Sequence, residues 1–140
     1  MKFIGFNFSK VLIERLDEKS SGEKINTKLD ISSLNKLPNA FNPNESILNV
    51  KFVYGIEYSP NIANIEICGN VLFNDSSENI DEAIKKWEAK EMDDDFKVGL
   101  FNIILRKANI RALALEDDLN LPPHMQLFSI KKDQLKKKEE

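Results

Sequence analysis

The sequence predicts an α+β domain, an antiparallel sheet followed by helices, on three observations. Apolar residues alternate with period two through the first half, and a 3.6-residue period takes over in the second. The length of 140 residues with 41% hydrophobic content suits a single core of modest size.

The elements follow in order. Near the start, Ile4, Phe6 and Phe8 share one side of a strand, and the pattern then shifts phase to Val11 and Ile13, which predicts a bulge or bend. "KINTKLDIS" alternates through Ile25, Thr27, Leu29 and Ile31 as a second strand. "SSLNKLPNAFNPNE" carries two prolines and four asparagines and reads as a loop, with Leu37 and Phe41 as exposed anchors. Alternation is clearest in "SILNVKFVYGIEYS", where Leu48, Val50, Phe52, Tyr54, Ile56 and Tyr58 share a face. It repeats in "NIANIEICGNVLF" through Ala63, Ile65, Ile67, Gly69, Val71 and Phe73, with turn chemistry at Ser59, Pro60 and Asn61 between the two. These last segments are predicted to form an antiparallel hairpin with one buried face.

Ile80, Ala83, Ile84 and Trp87 then fall at i, i+3, i+4 and i+7, an amphipathic helix with Ser76, Ser77 or Asn79 available as its cap. A longer helix is predicted to begin after Asp93, Asp94 and Asp95, whose charges suit the positive end of a helix dipole, and to run to about Glu116.

That helix carries two apolar stripes. Phe101, Ile104, Leu105, Ala108, Ala112 and Leu115 form the row expected to lie on the sheet. Leu100, Ile103, Ile110 and Ala114 fall on roughly the opposite side, with Lys107 among them. A two-layer domain covers one side of such a helix, so the other is expected to meet a second subunit or a client. Left bare, it would forfeit roughly 1.5–3 kcal/mol per large side chain relative to burial. The alternative is that the helix around Trp87 covers it within the chain.

Residues suited to chemistry are few. His124, the single histidine, sits beside Pro122 and Pro123 without a serine or cysteine partner motif, so a loop role is expected. Cys68 is the single cysteine, which excludes an internal disulfide and a thiolate metal cage, and it reads as a packed strand residue. The acids at Asp93 to Asp95 lack the spaced loop of a calcium site. Glu116 to Asp118 stand at the unfavourable end of the helix dipole and mark an early stop or a polar contact. Five glycines provide no phosphate cradle. An enzymatic role and a cofactor are therefore not expected.

The net charge of −3 leaves no broad basic field for nucleic acid. The basic cluster at Lys131, Lys132, Lys136, Lys137 and Lys138 is interrupted by Asp133, Glu139 and Glu140 and reads as a solvated end, with electrostatic docking as the alternative. No segment approaches the ~20 apolar residues of a membrane span, and the start lacks a secretory pattern, so a cytoplasmic protein without membrane insertion is expected. What stands out is apolar surplus. Ile47 and Val53 on the third strand, and Ile62 and Leu72 on the fourth, oppose the main rows. With Leu37, Phe41, Met125, Leu127, Phe128 and Ile130 they would make discontinuous apolar subsites for clients.

Four strands, a connecting segment and a long helix followed by "LNLPPHMQLFSI" resemble the SecB family of export and holdase chaperones, most specifically over Asn102 to Phe128, "NIILRKANIRALALEDDLNLPPHMQLF". The leucine-proline turn and a short apolar C-terminal helix of that family match Leu119, Leu121, Pro122, Pro123 and Phe128. The resemblance implies a four-stranded antiparallel Greek-key sheet with the long helix across one face, and a homotetramer built as a dimer of dimers whose long helices lie between sheets. It also implies a groove that captures unfolded polypeptide clients without ATP.

Two departures stand out. "LDEKSSGEK" (Leu16 to Lys24) replaces the proline-asparagine-proline crossover of bacterial export members, and the tail is lysine-rich where theirs is acidic. These argue against docking to the SecA export motor and favour the SecB-like chaperones that protect an antitoxin or act without export. A helix around Trp87 is an addition to the family pattern. The expected organisation is one domain over residues 1–130 and a charged, flexible tail over 131–140.

Overall fold

The computed structural model describes residues 1–17 and 24–139, with side chains as far as Leu135. Most of "LDEKSSGEK" thus lies outside the described residues, as does Glu140. Four long strands, β1 (Lys2–Arg15), β2 (Lys24–Pro38), β3 (Glu45–Ser59) and β4 (Ala63–Ser76), precede the helices α1 (Ser77–Glu88), α2 (Asp94–Asp118) and α3 (Lys132–Glu139). All pairings are antiparallel and the order across the sheet is β1-β4-β3-β2. Consecutive hairpins join β2, β3 and β4 while β1 lies against β4, which is the Greek-key arrangement.

The central pair explains the core. In the β3–β4 register Leu48 faces Phe73, Val50 faces Val71, Tyr54 faces Ile67 and Ile56 faces Ile65. Each of these residues is buried, so period-two alternation has placed the main apolar row of both strands on one face. At Phe52↔Gly69 the missing side chain is structural. A Cβ on Gly69 would collide with the Asn7 carbonyl oxygen and lie 2.8 and 2.9 Å from the Phe52 ring. Glycine thus lets β1 and the aromatic ring approach the same point.

Three register shifts rephase the edge strands. β1 slips register between Phe3 and Gly5 and between Phe8 and Lys10, the second where the apolar pattern changes phase. β2 slips between Ile31 and Ser33, and this corrects the loop expected after Ile31. The strand instead continues to Pro38, because the extra residue moves the inward set to Leu34, which is buried against Val50. The two prolines do not prevent this: Pro38 ends an edge strand and Pro43 lies in the turn beyond.

Both helices cover the same face. Ser76 caps α1, its hydroxyl accepting the Asn79 backbone N–H at 3.3 Å, and Ile80 is fully buried beneath the first turn. α2 buries Leu100, Ile104, Ala108, Ala112 and Leu115, a row stepping by four and then three residues. At its end Asn120 adopts φ 55, the Leu121 N–H bonds the Glu116 carbonyl at 2.8 Å, and the Asn120 N–H bonds that of Asp117 at 3.3 Å. This left-handed stop satisfies the last carbonyls of α2 and turns the chain back towards the sheet.

Candidate binding surface

Two features of the surface stand apart from the core. The first is an open groove of about 530 Å³ where the C-terminal end of α1 and the start of α2 meet β2. Leu29, Ile31, Trp87, Met92 and Phe101 make its apolar floor. Asp30, Lys90, Asp94 and Lys97 rim it with both signs of charge. β2 ends the sheet on this side, so its outward N–H and C=O groups border the same groove.

The second is a rooted arm after α2. Leu121 is buried, the Tyr58 hydroxyl donates to the Pro122 carbonyl at 2.5 Å, and the Arg15 guanidinium donates to the Leu119 and Asn120 carbonyls at 2.6 and 3.0 Å. His124 is held more closely still. Its ring Nδ1 lies 2.8 Å from Glu116 Oε2, its backbone N–H bonds Glu116 Oε1 at 3.1 Å, and its Nε2 lies 2.8 Å from Asn109 Oδ1. The Tyr54 hydroxyl donates to that same Asn109 oxygen at 2.6 Å. Burial, with Glu116 nearby, pushes the Tyr54 phenol above its ordinary range, so it serves as a fixed donor.

The chain then leaves the surface. Met125, Leu127 and Ile130 are exposed and Phe128 is fully so. No helix forms between Leu119 and Lys131; the short helix of this end is the charged α3. The apolar C-terminal helix expected over Leu119 to Phe128 is thereby corrected: the left-handed stop at Asn120 and two consecutive prolines leave that stretch without a first helical turn.

The sequence-derived client residues are dispersed. Leu37 pairs with Ile47 on the sheet face opposite the helices, and Leu37 borders a shallow recess with Pro38 and Pro43. Val53 stands on that same outer face opposite Asp30 and Cys68. Phe41 projects from the β2–β3 turn, 99% exposed, and Met125, Leu127 and Phe128 lie on the arm. Ile62, expected on the outer face, is buried in the turn before β4.

On α2, Ile110 and Ala114 face outward and Ile103 is half-buried. Leu100 is corrected: it is 1% exposed and begins the buried row, so it has no surface left to offer a second subunit. The groove floor escaped the sequence reading because its residues come from three elements. The network around His124 had one signal, the acid Glu116 at the wrong end of a helix dipole. Among the described residues, no group of three or more histidine, cysteine or acidic side chains is placed to hold a metal ion, and no helix is long and apolar enough to cross a membrane.

No family model matches the chain, and no curated protein matches it. Among solved structures it is similar to the Mycobacterium tuberculosis SecB-like chaperone Rv1957, solved in complex with a ChAD peptide from the Rv1956 HigA1 antitoxin. The likeness covers 91% of this chain and 89% of that one, with a TM-score of 0.53 and 12% sequence identity. The chain has the SecB-like fold. Its four-stranded antiparallel sheet, open rather than closed into a barrel and covered by helices on one face, is the architecture the resemblance implied.

Proposed function

We propose that the protein is a non-catalytic, SecB-like chaperone that holds an extended segment of one dedicated partner polypeptide, of the antitoxin kind, in the groove beside β2. The observation that carries this reading is the coincidence of a strand edge, unpaired among the described residues, with an apolar floor. The β2 edge offers main-chain hydrogen bonds to an incoming strand, and alternate side chains of that strand would fall on Leu29, Ile31, Trp87 and Phe101. The mixed rim charges add selectivity, because a segment with the wrong charge order leaves one rim charge against a like charge. The similar Mycobacterium tuberculosis chaperone was solved with an antitoxin peptide, which supports a dedicated partner over an indiscriminate one.

A second reading, a general ATP-independent holdase for unfolded clients, draws on the bare aromatics Phe41 and Phe128 and the exposed Met125 and Leu127. In either reading a homotetramer would cover Ile110 and Ala114, with Ile103 beside them. Trp87, the single tryptophan, lies in the groove and reports binding directly. Fluorescence titration with fifteen-residue peptides tiled across the products of neighbouring genes is expected to find one overlapping cluster that binds. An unfolded, carboxymethylated lactalbumin is expected not to displace it. Equal competition by the unfolded protein would favour the holdase, and silence across all peptides would remove both readings.

A further inference from the structure

The buried polar group at the root of the arm has a use that packing alone does not require. Glu116 is 1% exposed and the side chain of His124 is 3% exposed, so this carboxylate and imidazole meet out of reach of water. Each nitrogen of the ring faces an oxygen. Nδ1 lies 2.9 and 2.8 Å from the two carboxylate oxygens of Glu116, and Nε2 lies 2.8 Å from Asn109 Oδ1. That Asn109 oxygen already accepts the Tyr54 hydroxyl, and a carbonyl oxygen has room for two donors. A neutral imidazole donates from one nitrogen only; the cation donates from both. With Asn109 Oδ1 turned towards the ring, the arrangement fits the imidazolium, whereas a reversed Asn109 amide would fit the neutral ring. The titratable groups facing the ring are Glu116 from α2 and Tyr54 from β3, while the Arg15 guanidinium of β1 is engaged with carbonyls further up the same loop.

We propose that His124 is a protonation-gated latch that sets how firmly the apolar arm, Met125 to Ile130, is rooted on α2. When the ring carries both protons, α2, β3 and the loop are joined through one chain of hydrogen bonds running from Tyr54 through Asn109 and His124 to Glu116. When it loses one, a ring nitrogen and an acceptor oxygen face each other without a hydrogen between them, and the Glu116 carboxylate loses its counter-charge inside the protein. An unsatisfied contact of that kind is relieved by opening the loop to water. The arm begins at the next residue, so its direction relative to the rest of the surface follows the latch. The gate is a property of the free chain; only the arm's use in partner binding rests on the function proposed above.

The chain contains one histidine, so long-range proton–nitrogen spectra of the imidazole give its protonation without ambiguity. The His124 backbone N–H, bonded to Glu116, reports the latch through hydrogen exchange corrected for the intrinsic rate. In the free wild-type protein both ring nitrogens are expected to carry protons wherever the His124 amide is most protected. Removing one at higher pH should lower His124 amide protection about ten- to a hundredfold, the size expected for a charge-assisted bond.

Glu116→Gln keeps an acceptor but removes the charge, and it should weaken the link between ring protonation and amide protection. His124→Gln should abolish it. A ring that is singly protonated throughout, with Nε2 accepting from a reversed Asn109 amide, overturns the proposal; so does protection that does not change with the ring's charge. If a variant fails to fold, the paired wild-type spectra and exchange rates decide the matter by themselves.

Discussion

Replacing Ile104 and Ile110 separately by alanine tests which side of α2 the protein consumes and which it leaves over. Ile104 is fully buried, and truncating a buried isoleucine costs about 2–5 kcal/mol through lost transfer energy and the cavity left behind. Ile110 is 66% exposed, so about a third of it is covered by its own chain. With about 1.5–3 kcal/mol for full burial, its truncation should cost a lone protomer at most about 1 kcal/mol. Urea unfolding followed by circular dichroism reads both as shifts in midpoint at constant slope.

If a second copy covers Ile110, its loss should grow with protein concentration while that of Ile104 stays fixed. Ile110→Asp should then lower the sedimenting mass. Equal losses at the two positions, or a larger loss at Ile110 in a chain that sediments as a single protomer, would refute the orientation of α2 described here.

Three further outcomes follow from the packing and charges. Gly69→Ala should destabilise by about 1–3 kcal/mol or more, because the new Cβ meets the Asn7 carbonyl and the Phe52 ring, and weakened exchange protection in β1 checks it. Phe128→Ser should leave the unfolding midpoint within about 0.5 kcal/mol of wild type, since the ring packs on nothing in its own chain; a clear loss of stability would place it in the core. The Asp75 carboxyl is held below the usual carboxylate range, first by the Asn79 side-chain amide and then by the Ser76 N–H and the N-terminal ammonium. Such a group adds stability that is complete above the unfolded carboxylate range and is lost as pH falls through its folded value. Asp75→Asn should therefore weaken the fold at neutral pH and flatten its acid limb, and parallel wild-type and variant curves between pH 7 and pH 3 would contradict this.

The hairpin of β3 and β4, the phase shift in β1 and the starts of both long helices were legible because each rests on local periodicity, which the chain obeys residue by residue. The extension of β2 was not. One bulge at Ile31/Ser33 reverses the alternation, so Leu34 reads as outward to a period-two count that began at Ile25. Leu100 was misplaced for a similar reason. It lies at the border between the two faces of α2, and only the packing of the helix start decides which way a border residue turns. The groove and the His124 network are tertiary, joining residues such as Leu29 with Trp87 and Tyr54 with Asn109 that no spacing rule connects.

The proposed function requires the outer edge of β2 and the floor under it to receive a strand from another polypeptide. Hydrogen exchange of the free protein and of its complex with the tightest-binding tiled peptide tests it most directly. New amide protection along β2 from Lys28 to Ser32 is expected, together with a blue shift of Trp87 emission. Protection confined to other strands, with Trp87 unchanged in a saturated complex, would contradict it.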